Sequence, residues 1–121
     1  MTLLEQDHKL QTEIITPELI DYIVGKIVTA VSPLKIILFG SLASGQATDE
    51  SDLDLLIIHS SQMSNRKVRQ KIDKLLWGRH FGVDLIVRKP EQVTRNVTQN
   101  NPFYTQNILS DGIVLYERAG E

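Results

Sequence analysis

A chain of 121 residues, 41% hydrophobic and 23% charged, has the length and composition of one folded domain with a single core, which excludes a coiled coil or a disordered segment. A formal charge of −2 gives no whole-molecule attraction to nucleic acid or anionic lipid, so no direct DNA binding is expected and any basic patch is local. The absence of cysteine excludes disulfides and thiolate metal sites and fits a reducing compartment.

The N-terminus, MTLLEQDHKLQTE, holds acids and no long apolar run, so neither secretion nor membrane insertion is expected and the cytoplasm is the expected location. Residues 1–15 read as an N-terminal extension and residues 16–121 as the domain. Thr16, Pro17 and Glu18 form a helix start: a capping hydroxyl, a proline in the first turn and an acid at the positive end of the dipole. Leu19, Ile20, Ile23, Val24, Ile27, Val28 and Val31 then recur at helical spacing until Pro33.

Ile36 to Phe39 is a short apolar run ended by Gly40, as a strand covered on both faces would be, and Leu53 to Ile58 is a second. Between them GSLASGQATDES is a loop, with room for a helical turn at Leu42 to Ser44. Ser64 caps a helix whose Val68, Ile72, Leu75 and Leu76 face inward and which Gly78 ends. Val83 to Val87 is a third strand; Pro90 and Pro102 open two short helices, and Gly112 precedes a last strand, Ile113 to Tyr116. This order predicts an α/β (α+β) fold, a small mixed sheet flanked by helices.

Asp49, Glu50, Asp52 and Asp54 fall within six positions at the entrance to the second strand. Two carboxylates about 6 Å apart repel by roughly 1 kcal/mol in water and more where the dielectric falls, so the fold gains nothing structural from the pair. Strand alternation points Asp52 and Asp54 to one face and Leu53 and Leu55 to the other. A hard cation such as Mg²⁺ takes oxygen ligands of this kind. Gly40 and Ser41, at the end of the first strand, let the backbone approach a bulky anion and donate to phosphate oxygens. Asp84, inside the apolar run FGVDLIV, is costly there unless it is paired or ligates an ion. Alone, an Asp-x-Asp at a strand entrance is a solvated turn and a Gly-Ser is a tight turn; the joint order of strand, Gly-Ser, ten residues, Asp-x-Asp, strand, helix and a third strand acid points to a metal site.

Gly40, Ser41, the ten residues Leu42 to Ser51, then Asp52, Leu53 and Asp54 match the GSx10DxD signature. Over residues 17–117 the chain resembles the polymerase-β-like nucleotidyltransferases, and in particular the minimal nucleotidyltransferase (MNT) proteins. The resemblance implies that fold, with ATP held by Gly40 and Ser41, two Mg²⁺ ions on Asp52 and Asp54, and Asp84 as the third metal-binding and catalytic carboxylate. It further implies an antitoxin of a HEPN/MNT pair, transferring AMP to a hydroxyl of a HEPN ribonuclease toxin. One departure stands out: where the family commonly reads GSxARG, Ser44 replaces the arginine. Arg66, Arg79, Arg88 and Lys89 are the candidate substitutes.

Arg66, Lys67, Arg69, Lys71 and Lys74 surround the second long helix as a solvated face or a docking surface for an acidic partner. His8, His59 and His80 show no metal-ligand spacing and read as surface or edge residues; Trp77, Phe81, Phe103 and Tyr104 read as core or partner contacts. Two other functions fit the same residues: a non-catalytic module that neutralises its partner by covering it, and a standalone transferase for a small hydroxylated substrate. The short chain leaves little room for a second, acceptor-binding domain, which disfavours the latter.

Overall fold

The Thr16 hydroxyl accepts the Leu19 N–H at 3.1 Å and Pro17 opens the first helix, α1 (Pro17–Val31), in the computed structural model, which describes residues 7–119. Leu19, Ile23, Ile27 and Val31 form its buried stripe, four residues apart at each step. Ser32 then turns left-handed at φ 45° and the chain enters β1 (Lys35–Phe39). A single turn, α2 (Ser41–Ser44), precedes β2 (Leu53–Ile58). Next come α3 (Asn65–Leu75), capped by Ser64, then β3 (Val83–Arg88), α4 (Pro90–Thr98), a π-wound helix (Phe103–Ser110) and β4 (Ile113–Glu117).

The sheet order is β3-β2-β1-β4. β1 runs antiparallel to both neighbours, while β2 and β3 are parallel because α3 forms the crossover between them. The expected mixed sheet is thus present. One face carries Leu53, Leu55, Ile57, Leu85 and Val87 against α1 and α3; the other carries Ile37, Phe39, Leu56 and Ile58 against Tyr104 and Ile108 of the π-wound helix. Two covered faces explain why β1 and β2 are continuous apolar runs rather than alternating ones. The described part of the N-terminal segment docks on this frame. Leu10 is fully buried, and Asp7 accepts hydrogen bonds from Tyr22 and Lys26 of α1.

His59 is neither a surface nor an edge residue: it is fully buried, continuing the inward face of β2 one step past the strand. Its Nδ1 lies 2.9 Å from Ser61 Oγ and its Nε2 lies 2.8 Å from Asn65 Oδ1, while Asn65 Nδ2 donates to Gln92 Oε1 at 2.9 Å. Because Asn65 turns its oxygen to the ring, Nε2 carries the proton and Nδ1 accepts from Ser61. His59→Ala leaves a cavity and strands these partners, and an expected loss of about 3 kcal/mol is read as a lower urea midpoint at unchanged m-value.

Candidate active site

At the C-terminal end of β1 the sheet stops on polar residues. The register sets Asp54 across from Phe39 on one side and from Asp84 on the other. Asp54 and Asp84 therefore project on the same sheet face, the one that Leu56, Ile58 and Ile86 continue inward. Asp52, one residue ahead of β2, and Asp84 are exposed, while Asp54 is half-buried. Burial first, then the charge of Asp84 and then that of Asp52, push the Asp54 carboxyl up to about 6. Asp54 thus feels the charges of both other acids.

Two glycines fit this cluster closely. Gly40 adopts φ 77°, ψ −159°, a conformation essentially restricted to glycine, and a Cβ there would overlap the Asp54 carboxylate. A Cβ on Gly82 would overlap Asp52 in the same way. The ten-residue loop between the motifs is closed by hydroxyls: Ser41 Oγ lies 2.9 Å from Ser51 Oγ, which accepts the Thr48 N–H at 2.8 Å. Ser41 is therefore held where α2 begins, with the first N–H groups of that turn left without helical acceptors.

Gly82 and Ser51 are site residues that sequence reasoning did not single out. The available signal was slight: a glycine two residues before the third aspartate, and a serine just before the first. Of the candidate substitutes for the missing arginine, Arg66 and Arg88 line a cavity of about 300 Å³ beside Asp84. Arg79 is instead held by Asp73 at 3.8 Å and by the Leu76 carbonyl at 3.2 Å. Lys89 sits at the cap of α4. A second cavity, of about 390 Å³, opens on the Asp52 side and is acidic, with Glu13, Asp49, Glu50 and Asp52 in its walls.

Residues 20–115 match the model of the nucleotidyltransferase domain family. The chain belongs to that family. A Methanocaldococcus jannaschii protein assigned as a protein adenylyltransferase is 37% identical over 82 residues, covering 68% of this chain and 77% of its own. The fold is shared with a Sulfolobus solfataricus protein assigned as a nucleotidyltransferase, at a TM-score of 0.60 and 20% identity over 97% of this chain and 94% of that one. It is shared also with a chain of a toxin–antitoxin complex solved with AMP-PNP, at a TM-score of 0.52 and 19% identity over 82% of this chain and 74% of that one.

For a nucleotidyltransferase the donor set is informative. Among the described residues, no group of three carboxylate or imidazole side chains is already gathered around one point to hold a metal ion. The acids that do meet offer oxygen donors alone, and the Asp54 carboxyl is raised first by burial and then by the charges of Asp84 and Asp52, both of which a cation there would offset. Oxygen-only donors in a solvent-open cluster fit a hard divalent ion that keeps some of its water, such as Mg²⁺. Among the described residues no helix is long and apolar enough to cross a membrane.

Proposed function

We propose that this nucleotidyltransferase is a Mg²⁺-dependent protein adenylyltransferase that moves AMP from ATP to a hydroxyl of a HEPN-type ribonuclease toxin and so neutralises it as its antitoxin. The observation that carries this reading is the cross-strand alignment of Asp54 with Asp84, with Asp52 close enough to act on Asp54 and Gly40 closed against it. The 37% identical relative assigned as a protein adenylyltransferase supports the protein acceptor, and the fold shared with a toxin–antitoxin component supports the partner class. ATP as substrate and a ribonuclease as target put the protein in the cytoplasm.

Asp52, Asp54 and Asp84 would hold Mg²⁺, two ions on the family pattern, and the metal would offset the charge of the triphosphate and of the leaving group. Gly40 and Ser41 hold the phosphates, the glycine by letting the bend close against Asp54 and the serine by its amide and hydroxyl. The acceptor oxygen attacks the α-phosphorus and forms a new P–O bond. The bond from that phosphorus to the α,β-bridging oxygen breaks, and pyrophosphate leaves. Asp84, on the outer side of the cluster, takes the proton from the acceptor hydroxyl.

Co-expression with the neighbouring open reading frame, followed by incubation with ATP and Mg²⁺ and intact-mass measurement, is expected to show one or more AMP groups on the partner. A partner that stays unmodified with every nucleoside triphosphate overturns the enzymatic reading. A second reading has one observation in its favour: the Gly40–Ser41 bend carries Ser44, whose Oγ lies 3.4 Å from the Ser41 carbonyl, where the family commonly places arginine. If the partner's ribonuclease activity is suppressed without any mass change, neutralisation works by complex formation.

A further inference from the structure

β3 is an outer strand, and its free edge is not plain. Leu53 N–H donates to the Gly82 carbonyl at 2.9 Å and His59 N–H donates to the Arg88 carbonyl at 3.1 Å. In a parallel ladder that register repeats every two residues, so Gly82, Asp84, Ile86 and Arg88 turn their backbone polar groups toward β2. Val83, Leu85 and Val87 turn theirs outward. The Val87 carbonyl is met there by Nη1 of Arg88 at 2.8 Å, which places that guanidinium on the open side of the strand.

Along this edge lies the cavity of about 300 Å³ noted above, bounded on its far wall by Arg66 and Arg69 of α3. Residues three apart on a helix share a face, so both arginines address the same cleft, and Arg88 makes a third. Among the described residues none of the three forms an ion pair. In a protein of net charge −2 this is a concentrated cationic strip. It begins at Asp84, so the line Gly40, Asp54, Asp84, arginine cleft crosses the sheet edge in one direction.

We infer that the β3 edge and the Arg66–Arg69–Arg88 cleft receive an extended, acidic segment of the acceptor protein as an added strand, which delivers its hydroxyl to Asp84 from the side opposite Gly40. Two features favour a peptide over RNA. The outward N–H and C=O groups of Val83 and Leu85 and the Val87 N–H match another peptide backbone, and the walls of the cleft contain no aromatic ring on which a base would stack. Five residues, Asp84 to Arg88, give about 16 Å of edge, enough for a short strand whose acidic side chains reach the guanidiniums. The inference rests on the protein-acceptor reading above, but it concerns binding and is measured without turnover.

The test uses the full chain, isotopically labelled, titrated with a synthetic peptide that alternates glutamate and threonine around a central tyrosine. The expected result is a shift of the Val83, Leu85 and Val87 amide signals and at least a tenfold slowing of their hydrogen exchange. Arg66→Ala with Arg69→Ala, both on the exposed face of α3, is expected to weaken binding at least tenfold. Arg66→Glu with Arg69→Glu should transfer the preference to the lysine counterpart of the peptide. A peptide N-methylated at alternate residues binding as well as the parent overturns the added strand, and oligouridylate binding the cleft more tightly overturns the peptide. Protein carrying Asp52→Asn and Asp54→Asn should retain peptide binding. Intact binding beside absent transfer in the wild-type chain therefore rejects the transferase reading alone.

Discussion

Asp54→Asn is expected to abolish nucleotidyl transfer while making the protein more stable at neutral pH. The neutral amide keeps the shape of the side chain but removes the charge at the centre of the acid cluster. A carboxylate that binds the catalytic metal is worth at least 4 kcal/mol of transition-state stabilisation, or about 10³-fold in rate. The stability change has the opposite sign. Folding raises the Asp54 carboxyl from its ordinary 3.8 to about 6, so the folded state disfavours the ionised form. The stability that this group contributes is fully present below pH 4 and is lost as pH rises through 6; above that the cost is constant. A two-unit shift corresponds in full to about 3 kcal/mol, but the side chain is only half-buried, and after solvent screening about 1 kcal/mol is expected. The variant should therefore melt a few degrees higher than the wild type at pH 7.5 and equally at pH 4. A variant that still transfers removes Asp54 from the chemistry, and one that melts lower at pH 7.5 shows that burying the Asp54 charge beside Asp84 and Asp52 costs the fold nothing.

Gly40→Ala should lower both stability and transfer. At φ 77° and ψ −159° an L-residue is strained, and its methyl group would enter the space of the Asp54 carboxylate. Strain and overlap together are expected to cost about 2–4 kcal/mol. Displacing Asp54 by as little as 1 Å is expected to cost about 10²-fold in rate. Gly45→Ala is the control. Gly45 also has positive φ, 82°, but a Cβ there meets nothing within 4 Å, so only the strain of about 1 kcal/mol remains. Equal effects of the two substitutions on transfer, measured at matched folded fraction, would show that the fit of Gly40 against Asp54 is irrelevant to activity.

Much of the architecture was legible because apolar spacing is a strong signal where both sheet faces are covered. α1 announced itself through Thr16, Pro17 and the four-residue spacing of Leu19, Ile23, Ile27 and Val31. The acids stood out for the opposite reason: Asp54 and Asp84 break apolar runs and Asp52 sits two residues from Asp54, although in the fold only Asp54 is half-buried and Asp52 and Asp84 are exposed. His59 was not legible, because its burial depends on Ser61, Asn65 and, through Asn65, Gln92 of α4, a chain of contacts with no sequence period. The segment after Pro102 has the composition of an ordinary short helix, and its wider winding shows only in bonds such as Asp111 N–H to the Gln106 carbonyl, five residues back. Strand order also lies beyond local pattern. Without it neither the alignment of Asp84 with Asp54 nor the arginine cleft on the outer edge of β3 could be read from spacing.

The hydroxyl contact between Ser41 and Ser51 makes the stretch between them a ring of fixed circumference. What such a ring transmits to Asp52 is length rather than composition. Ser44 lies inside that span and the Asp52 seat against Gly82 just beyond it, so a one-residue insertion or deletion has to be absorbed between the Ser41–Ser51 contact and the two glycine seats.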